Sequence, residues 1–222
     1  MPKRLDVYLS DNNIVKSRSL AATLIKQGSV EVNGRICTKS SFTVCDGDNV
    51  KIIGELPKYV GRGGLKLEKA LAHYRLHLDG AVCIDIGAST GGFTDCMLQN
   101  GAVKVYSVDV GTDQLDEKLR NDSRVISMEK TDIRNCVGTL PQVDFISIDV
   151  SFISLKLVLP SAFALLKDGG ECVALIKPQF EAGREKNNCI HFGRRGFIHY
   201  QSKNGANRRT GKLPADDWSS VG

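Results

Sequence analysis

The sequence predicts an α/β protein with a doubly wound, mostly parallel sheet that is incomplete at its C-terminal edge, preceded by a small α+β domain. Five β-branched runs lie about 20 to 27 residues apart, with helical patterns between most of them. Two short helical patterns and an Asn-Gly hairpin precede these runs. With 222 residues, of which 41% are hydrophobic, the chain is long enough for one full core and a small second one.

The first domain, expected over residues 1–54, has the pattern of two helices followed by a hairpin. Apolar residues recur at helical spacing over 5–9, and a second helix is expected between Ser17, an N-cap candidate, and Gly28, a C-cap candidate. The segment VEVNGRIC alternates around Asn33-Gly34, a dipeptide typical of two-residue hairpins, and DGDNVKII supplies one more strand.

The second domain is expected over residues 65–183, after a glycine-containing linker at 55–64. It opens with the amphipathic helix pattern LKLEKALAHYRL, and its strands are AVCIDIG, KVYSVDV, RVISME, VDFISID and ECVALIK. Ligand sites in such sheets lie at the carboxyl ends of the strands. The residues that close or nearly close these strands, and where we expect the chemistry, are Asp85, Asp109, Asp149 and Lys177.

Charge is distributed unevenly along the chain. Residues 1–66 carry a net charge of +5, residues 67–183 a net charge of −5, and residues 184–222 another +5. This pattern suits a polyanion-binding module attached to a domain that holds a small cationic ligand, with chance scatter of surface charges as the simpler alternative.

Composition argues against several classes of protein. The seven cysteines contain no C-x-x-C pair and mostly lie in apolar runs, so we expect reduced thiols and no metal site. The N-terminus has no continuous apolar signal-peptide core, and nowhere do about eighteen apolar residues run together. The sequence therefore predicts a cytoplasmic protein without a membrane span.

The stretch IDIGASTGGFTDCML (84–98) places a glycine-rich loop between a strand and a helix. Its pattern, D-x-G-x-x-x-G-G, lacks the middle glycine of a dinucleotide fingerprint, and no G-K-[ST] follows for a phosphate loop. Asp85 suits a ligand with a sulfonium and an ammonium group, and Asp109 can accept hydrogen bonds from two ribose hydroxyls. Together they indicate S-adenosylmethionine. Asp132 is a candidate for contacting the adenine amino group, with a turn or N-cap role as the alternative.

The identity of the methyl acceptor is inferred from two motifs that the sequence lacks and from three charged residues that it contains. Neither an N-P-P-Y or D-P-P-Y motif for exocyclic amines nor a P-C motif for carbon-5 of pyrimidines is present. A ribose 2'-hydroxyl remains, and its proton must leave as the methyl group arrives. A neutral lysine can take that proton when a second cation lies nearby and a carboxylate orients it. The candidates are Lys177, Asp149 and Lys66, although each lysine alone could be an ordinary cation at the end of an element.

Five motifs over residues 3–183 resemble the TlyA family of hemolysins and ribosomal RNA ribose 2'-O-methyltransferases: GRGGLKLEKAL, DIGASTGGFTD, VYSVDVGTDQL, IDVSFISL and IKPQFEAG. The resemblance implies a Rossmann-like methyltransferase sheet and S-adenosylmethionine as cofactor. It also implies catalytic roles for Lys66, Asp149 and Lys177. The cofactor-binding residues that it implies are Asp85, Gly87, Ser89, Gly91, Gly92, Phe93, Asp109 and Asp132.

The helix-helix-hairpin order of the first domain resembles the αL-type RNA-binding domain. The resemblance implies ribosomal RNA or ribosomal subunits as partners, and it implies neither DNA nor a membrane. Because no aromatic stacking platform is evident, we expect recognition of shape and phosphates rather than of bases. The candidate RNA contacts are Lys3, Arg4, Arg18, Ser19, Lys26, Arg35 and Lys39.

The segment 184–222 departs from the family. It is polar and basic, shows no alternating strand pattern, and offers no match for the glutamate that completes the family's catalytic set. We therefore expect a divergent, disordered tail, an open sheet edge and slow or absent turnover. Two alternatives to a methyltransferase remain at this stage: a non-catalytic RNA-binding protein of the ribosome, and a membrane-active hemolysin.

Overall fold

The computed structural model describes residues 2–15, 17–54, 57–181, 196–203 and 206–213. The chain divides into two compact units, Met1–Leu56 and Pro57–Gly222. Within the described residues, no helix combines the length and the hydropathy that are needed to cross a bilayer.

The first unit packs two helices against short strands. Its elements are β1 (Lys3–Arg4), α1 (Leu5–Asp11), α2 (Arg18–Lys26), β2 (Val30–Val32), β3 (Arg35–Ile36), β4 (Thr43–Val44) and β5 (Val50–Ile52). Strands β3, β2 and β5 form an antiparallel sheet in that order, and β1 pairs with β4. Its core includes Leu5, Leu9, Leu24, Ile25 and Val30, all fully buried.

The helix and hairpin signals of the first unit are confirmed. The Ser17 hydroxyl accepts a hydrogen bond from the backbone N–H of Leu20, and Gly28 ends α2 at φ +74°. Asn33 and Gly34 adopt φ +53° and +79°, the left-handed pair that a two-residue hairpin requires.

The second unit is the predicted doubly wound sheet. Its helices are α3 (Gly63–Tyr74), α4 (Gly92–Gln99), α5 (Glu117–Arg120), α6 (Leu155–Ala164) and α7 (Pro178–Glu181), with a 3₁₀ turn at Ile133–Asn135. Its strands are β6 (Val82–Ile86), β7 (Lys104–Val108), β8 (Val125–Met128), β9 (Val143–Ile148), β10 (Leu166–Ile176), β11 (Gly196–Lys203) and β12 (Ala206–Leu213).

The sheet order is β12-β11-β10-β9-β6-β7-β8. The five strands from β10 to β8 run parallel, whereas β11 and β12 are antiparallel to their neighbours. The chain builds outward in one direction from β6 and in the other from β9, so the strand order reverses between these two strands. In open α/β sheets, ligands bind at the carboxyl ends of the strands beside such a reversal.

Two apolar clusters cover the two faces of this sheet. One joins α3 and α4 to inward residues such as Cys83 and Phe145, and the other joins α6 to residues such as Ile84 and Ile146. Neighbouring residues of one strand thus enter opposite clusters, as the two-residue period of a strand requires. Parallel strands that are buried on both faces have continuous apolar sequences, and the five strands were recognised in the sequence by such apolar runs.

The expectation of an open C-terminal edge is wrong. Strands β11 and β12, from the segment that we expected to be divergent, extend the sheet beyond β10. Phe197 is fully buried and His199 nearly so, whereas Ile198 and Tyr200 between and after them are partly exposed. The strand pattern is present but carries a histidine at an inward position, so hydrophobicity alone conceals it. The rest of the expected tail, residues 184–195, 204–205 and 214–222, lies outside the described residues.

A second signal for these strands was also available in the sequence. The two residues between β11 and β12 are Asn204-Gly205, the same dipeptide that marks the hairpin of the first unit.

Most of the expected linker belongs to the second unit. Tyr59 is 4% exposed and packs under Gly64, at the start of α3. The backbone N–H of Val60 donates to Asp95 Oδ2 (2.9 Å), and Asp95 lies on α4. Residues 57–62 therefore pack against the helices of this unit.

Candidate active site

Each of the five parallel strands is followed directly by a residue of the candidate site. The residues after β6, β7, β8, β9 and β10 are Gly87, Asp109, Glu129, Asp149 and Lys177. Because carboxyl ends of parallel strands meet at one edge of the sheet, these residues share that edge. Four of them are among the residues predicted from the sequence, and Glu129 was missed, although the rule that identified the others applies to it as well.

Gly87 allows the glycine loop to approach the end of β9. It adopts φ +84°, and a Cβ at this position would lie 2.7 Å from the backbone oxygen of Asp149. Gly91 adopts φ +91°, and a Cβ there would collide with the side chains of Leu115 and Leu119. Both positions therefore require glycine for backbone conformation and for space.

The next two loop residues bind helices together rather than face a cavity. A Cβ on Gly92 would lie 3.0 Å from the backbone nitrogen of Gly64, at the start of α3. Phe93 is 4% exposed, and its ring contacts Gly63 and lies 6.1 Å from the ring of Phe197. Any cofactor contact at these two positions therefore comes from the backbone, while the close backbone approach at Gly92 and the buried ring of Phe93 hold α4 against α3.

Asp85 is completely buried one residue before the end of β6. Its carboxylate accepts hydrogen bonds from the hydroxyls of Thr94 (2.7 Å) and Ser147 (2.9 Å), and the Thr94 hydroxyl also contacts that of Ser107 (2.8 Å). Burial raises the pKa of Asp85 to about 6, the nearby Asp149 carboxylate adds to the rise, and the hydroxyl donors oppose it. Asp85 therefore supports the loop from inside the protein.

Asp109 ties the glycine loop to the end of β7. Its Oδ2 accepts from the backbone N–H of Ser89 (2.8 Å) and its Oδ1 from that of Gly111 (2.7 Å). Ser89 itself is exposed at φ +47°. Each carboxylate oxygen has a second lone pair, so Asp109 retains the capacity to accept further hydrogen bonds.

A small cavity opens beside Asp109 between the ends of β7 and β8. It is lined by Ala88, Ser89, Ser107, Asp109, Gly111, Gln114, Leu115, Ser127 and Glu129. The Oε1 atom of Glu129 is buried and has no hydrogen-bond partner among the described residues. Buried acceptors without a partner are rare and costly, so this oxygen suits a ligand that brings a hydrogen-bond donor.

The Asp132 side chain is engaged elsewhere. It caps the 3₁₀ turn by accepting from the backbone N–H of Arg134 (2.9 Å), and its carboxylate pairs with the Arg134 guanidinium (2.6 Å). This arginine lowers the pKa of Asp132. The side chain is absent from the lining of the cavity described above.

Asp149 and Lys177 meet at the ends of β9 and β10. Lys177 Nζ lies 2.6 Å from Asp149 Oδ1 and donates a hydrogen bond to the hydroxyl of Ser151 (2.9 Å). The Lys177 ammonium and the Asp149 carboxylate thus form an ion pair. Both side chains are mostly buried, with 17% and 21% of their surface exposed.

Lys66 does not join this pair in the structure. It lies in the first turn of α3. The residues just before this helix pack closely on the glycine loop, since a Cβ added to Gly61 would lie 2.8 Å from Thr90 Oγ1. Within the described part of the chain its amine forms no hydrogen bond or ion pair with either Asp149 or Lys177. The position of α3 places Lys66 at the loop edge of the sheet.

Two phenylalanines lie near the ion pair of Lys177 and Asp149. Phe152 is 91% exposed and adopts φ +65°, which is unusual for a bulky residue, and its ring lies 5.2 Å from that of Phe180. An exposed ring held in a strained conformation is typical of a functional site.

The seven candidate RNA contacts of the first unit fall into two groups. Lys3 pairs with Asp11, whereas Arg4 and Arg18 both pair with the buried carboxylate of Asp6. Those guanidinium groups lower the pKa of Asp6 to about 2. The other four are exposed and form no ion pair among the described residues; they are Ser19, Lys26, Arg35 and Lys39.

Comparisons with known proteins agree with this geometry. A family model described as FtsJ-like methyltransferase matches residues 59–191, and the S4 domain model matches residues 3–50. The chain is 45% identical over 199 residues to YqxC of Bacillus subtilis, whose name assigns it to the rRNA methyltransferases; the match covers 88% of this chain and 69% of that protein.

Two further relatives extend the match. The chain is 38% identical over 187 residues to the 16S/23S rRNA (cytidine-2'-O)-methyltransferase TlyA of Mycobacterium tuberculosis, which covers 82% of this chain and 69% of that protein. A solved structure from Streptococcus thermophilus, named as a hemolysin, is 50% identical with a TM-score of 0.60, and the match covers 83% of this chain and 69% of that one. The chain therefore belongs to the TlyA family, with an N-terminal S4 domain and an FtsJ-like methyltransferase domain.

Proposed function

We propose that this protein transfers a methyl group from S-adenosylmethionine to a ribose 2'-hydroxyl of ribosomal RNA. The observation that carries the proposal is the contact between Lys177 and Asp149 at the strand ends, next to the glycine loop. The named rRNA methyltransferases among the relatives support the substrate class.

The residues at the strand ends fit the cofactor. Asp109 offers free lone pairs for ribose hydroxyls, and Glu129 has a buried oxygen that needs a donor. The glycine at position 87 keeps a side chain out of the space between the loop and β9. When bound, S-adenosylmethionine supplies an electrophilic methyl group on a positively charged sulfur. We assign its adenosine part to Asp109 and Glu129, with Ser89 and Asp132 as further candidates.

The chemistry of the acceptor falls to Lys177. A 2'-hydroxyl is a weak nucleophile near neutral pH, and a base must accept its proton as the new bond forms. In our proposal Lys177 is that base once its ammonium has released a proton to solvent, and Asp149 and Ser151 fix the position of its nitrogen. Lys66, in the first turn of α3, is the third member of the proposed catalytic set, and RNA or cofactor would have to lie between it and the Lys177–Asp149 pair, with which it forms no hydrogen bond or ion pair in the described part of the chain.

The exposed ring of Phe152 supports a nucleoside as acceptor. Phe152 presents a ring to solvent beside Lys177 and Asp149, and nucleobases stack on exposed aromatic rings in single-stranded nucleic acid. A base held there would bring its own ribose to the lysine. This role differs from the S4 domain, for which we expect phosphate contacts from Lys26, Arg35 and Lys39.

The proposed domain organisation assigns RNA binding to residues 1–54 and methyl transfer to the second unit, which includes residues 57–62 of the expected linker as well as the predicted domain from residue 65. The described C-terminal strands, β11 and β12, contain no Asp or Glu. The family's fourth catalytic residue, a glutamate, therefore has no counterpart in them, and we retain the prediction of slow turnover.

Methyl transfer on defined RNAs tests the proposal. Purified protein is incubated with S-adenosylmethionine carrying a labelled methyl group and with naked rRNA, separate subunits or whole ribosomes. We expect label in rRNA, recovered by mass spectrometry as a 2'-O-methylnucleoside after nuclease digestion. Label on a base, or no label in any rRNA substrate under conditions in which an active relative works, contradicts the proposal. Liposome leakage at the same protein concentration, without methyl transfer, would favour the hemolysin alternative.

A further inference from the structure

Glu181 lies at the end of α7, and its carboxylate bonds to the start of another helix. Its Oε2 accepts a hydrogen bond from the hydroxyl of Ser154 (2.7 Å), and its Oε1 accepts from the backbone N–H of Leu155 (2.9 Å). The Ser154 hydroxyl also accepts from the backbone N–H of Lys156 as the N-cap of α6. A negative charge at this end of a ten-residue helix is favourable because the unpaired N–H groups point toward it.

This contact joins the two segments that carry the reacting side chains. The paired ladder between β9 and β10 ends at Ala174 and Ile148. Beyond it, the described contacts between the segments come from side chains: Lys177 to Asp149 and Ser151, Phe180 to Phe152, and Glu181 to the start of α6. The sheet brings Lys177 and Asp149 to one edge, and beyond the ladder the distance between the amine and the carboxylate depends also on these side-chain contacts.

Glu181 also fixes one end of the loop that contains Phe152. At the other end, the backbone N–H of Asp149 donates to Ile86 O (2.9 Å). Between these two points Phe152 adopts φ +65°, a conformation that persists only when its surroundings hold it. Loss of the Glu181 contact would release that end of the loop.

We propose that Glu181 is a positioning residue for methyl transfer, which holds the Lys177 segment against the Asp149 loop. The inference rests on the proposed function for its catalytic consequence, since Glu181 contacts neither of the two reacting side chains directly. It acts through Ser154 and Leu155. A purely structural cap would lower the stability of α6 and leave the transfer step unchanged in the folded protein, whereas a positioning residue changes the step itself.

Two substitutions at one position separate these roles. Glu181→Ala removes both acceptors, whereas Glu181→Gln keeps one carbonyl oxygen and an amide that can donate to Ser154. We expect the single-turnover rate constant to fall by about 10- to 100-fold in Glu181→Ala and by less than about threefold in Glu181→Gln, with cofactor affinity unchanged. Glu117→Ala, at an exposed residue of α5, is the matched control and should behave as wild type.

A second readout does not depend on activity. Reductive methylation with formaldehyde and cyanoborohydride labels free lysine amines, and mass spectrometry reads the Lys177 peptide. Because the Lys177 side chain is 17% exposed, we expect its labelling to be several-fold faster in Glu181→Ala and unchanged in Glu181→Gln. Circular dichroism confirms that each variant is folded at the assay temperature.

The outcomes are distinct. A wild-type transfer rate in Glu181→Ala would overturn the inference, and so would equal labelling of Lys177 in wild type and Glu181→Ala. An equal loss of transfer rate in Glu181→Ala and Glu181→Gln would also overturn it. If wild type methylates no RNA at all, the proposed function fails, and the labelling of Lys177 alone decides whether Glu181 positions its amine.

Discussion

The amine nitrogen of Lys177 lies 2.6 Å from a carboxylate oxygen of Asp149, although the two residues end different strands. The pair forms because β9 and β10 are parallel neighbours, so that their carboxyl ends coincide. A base and the group that orients it are thus in place before any RNA binds, and the pair is the most direct point at which to test the proposed chemistry.

Substitution of either member of this pair should slow methyl transfer strongly. We expect Lys177→Met to reduce the single-turnover rate by about 10²- to 10⁴-fold, because a general base of this kind contributes that much to a rate. Asp149→Asn should cost somewhat less, since the amine remains. Isothermal titration with S-adenosylhomocysteine checks that the cofactor site is intact. A Lys177→Met protein that methylates RNA within threefold of wild type would exclude Lys177 as the base.

Phe152 should matter for the acceptor and not for the cofactor. We expect Phe152→Ala to weaken productive RNA binding by about 1–3 kcal/mol, the usual contribution of one stacked base, and Phe152→Tyr to retain it. Because the side chain is 91% exposed and strained, thermal stability should be unchanged or slightly higher in Phe152→Ala. The measurement is KM for rRNA together with the melting temperature. An unchanged KM would show that the exposed ring has no part in binding RNA.

The three acids Asp109, Glu129 and Asp132, in the segments that follow β7 and β8, should contribute unequally to cofactor affinity. Asp109→Asn and Glu129→Gln each alter a carboxylate that lines the cavity, and we expect a loss of about 1–3 kcal/mol for each. Asp132→Asn should cost less, because Arg134 already occupies that carboxylate. Calorimetric titration of the three variants gives the ranking. A larger loss for Asp132→Asn than for Glu129→Gln would restore the adenine contact predicted from the sequence and require Arg134 to release its partner.

Asp85 should make the second unit less stable as pH rises through the mildly acidic range. The folded-state pKa is raised to about 6 by burial, whereas the unfolded value is 3.8. Between these values the folded state retains a proton that the unfolded state has lost, so stability falls with rising pH and levels off above about pH 6. The difference corresponds to about 3 kcal/mol.

The control for this prediction is Asp85→Asn, which cannot titrate. We expect wild type to lose stability relative to the variant between pH 4 and pH 6. The free energy of unfolding of both proteins is measured by urea unfolding, monitored by far-ultraviolet circular dichroism. Contributions from other carboxylates, such as Asp6 in the first unit, are common to both proteins and cancel. A difference between the two proteins that does not vary with pH would contradict the raised pKa.

Much of the fold could be predicted because its signals are local. The Asn33-Gly34 turn, the Ser17 cap and the five apolar runs each report on a few neighbouring residues, and all are confirmed. Strand β11 was missed for the opposite reason. Its inward position at His199 is polar, and its burial depends on Tyr74, whose ring lies 4.9 Å away and comes from a distant part of the chain.

The candidate site also combines features that the sequence could predict with features that it could not. The strand-end rule and the glycine loop located Asp109, Asp149 and Lys177, but the sequence could not show which acids have free oxygens. Asp132 is paired with Arg134, two residues further along, whereas Glu129 has a buried oxygen that finds no hydrogen-bond partner in the described part of the chain. Pairing of this kind depends on side-chain conformation, which spacing alone does not determine.

The hydroxyl groups around Asp85 help to determine the register in which the strands of the sheet pair. Asp85 pairs in register with Ser147 of β9 and with Ser107 of β7, and Ser107 pairs with Ser127 of β8. A shift of β9 by a single residue would turn Ser147 into the opposite apolar cluster and remove one of the two hydroxyls that donate to the Asp85 carboxylate. Three central apolar strands, β6, β7 and β9, thus share one buried polar row whose hydrogen bonds favour a single alignment, which penalises misaligned sheets during folding.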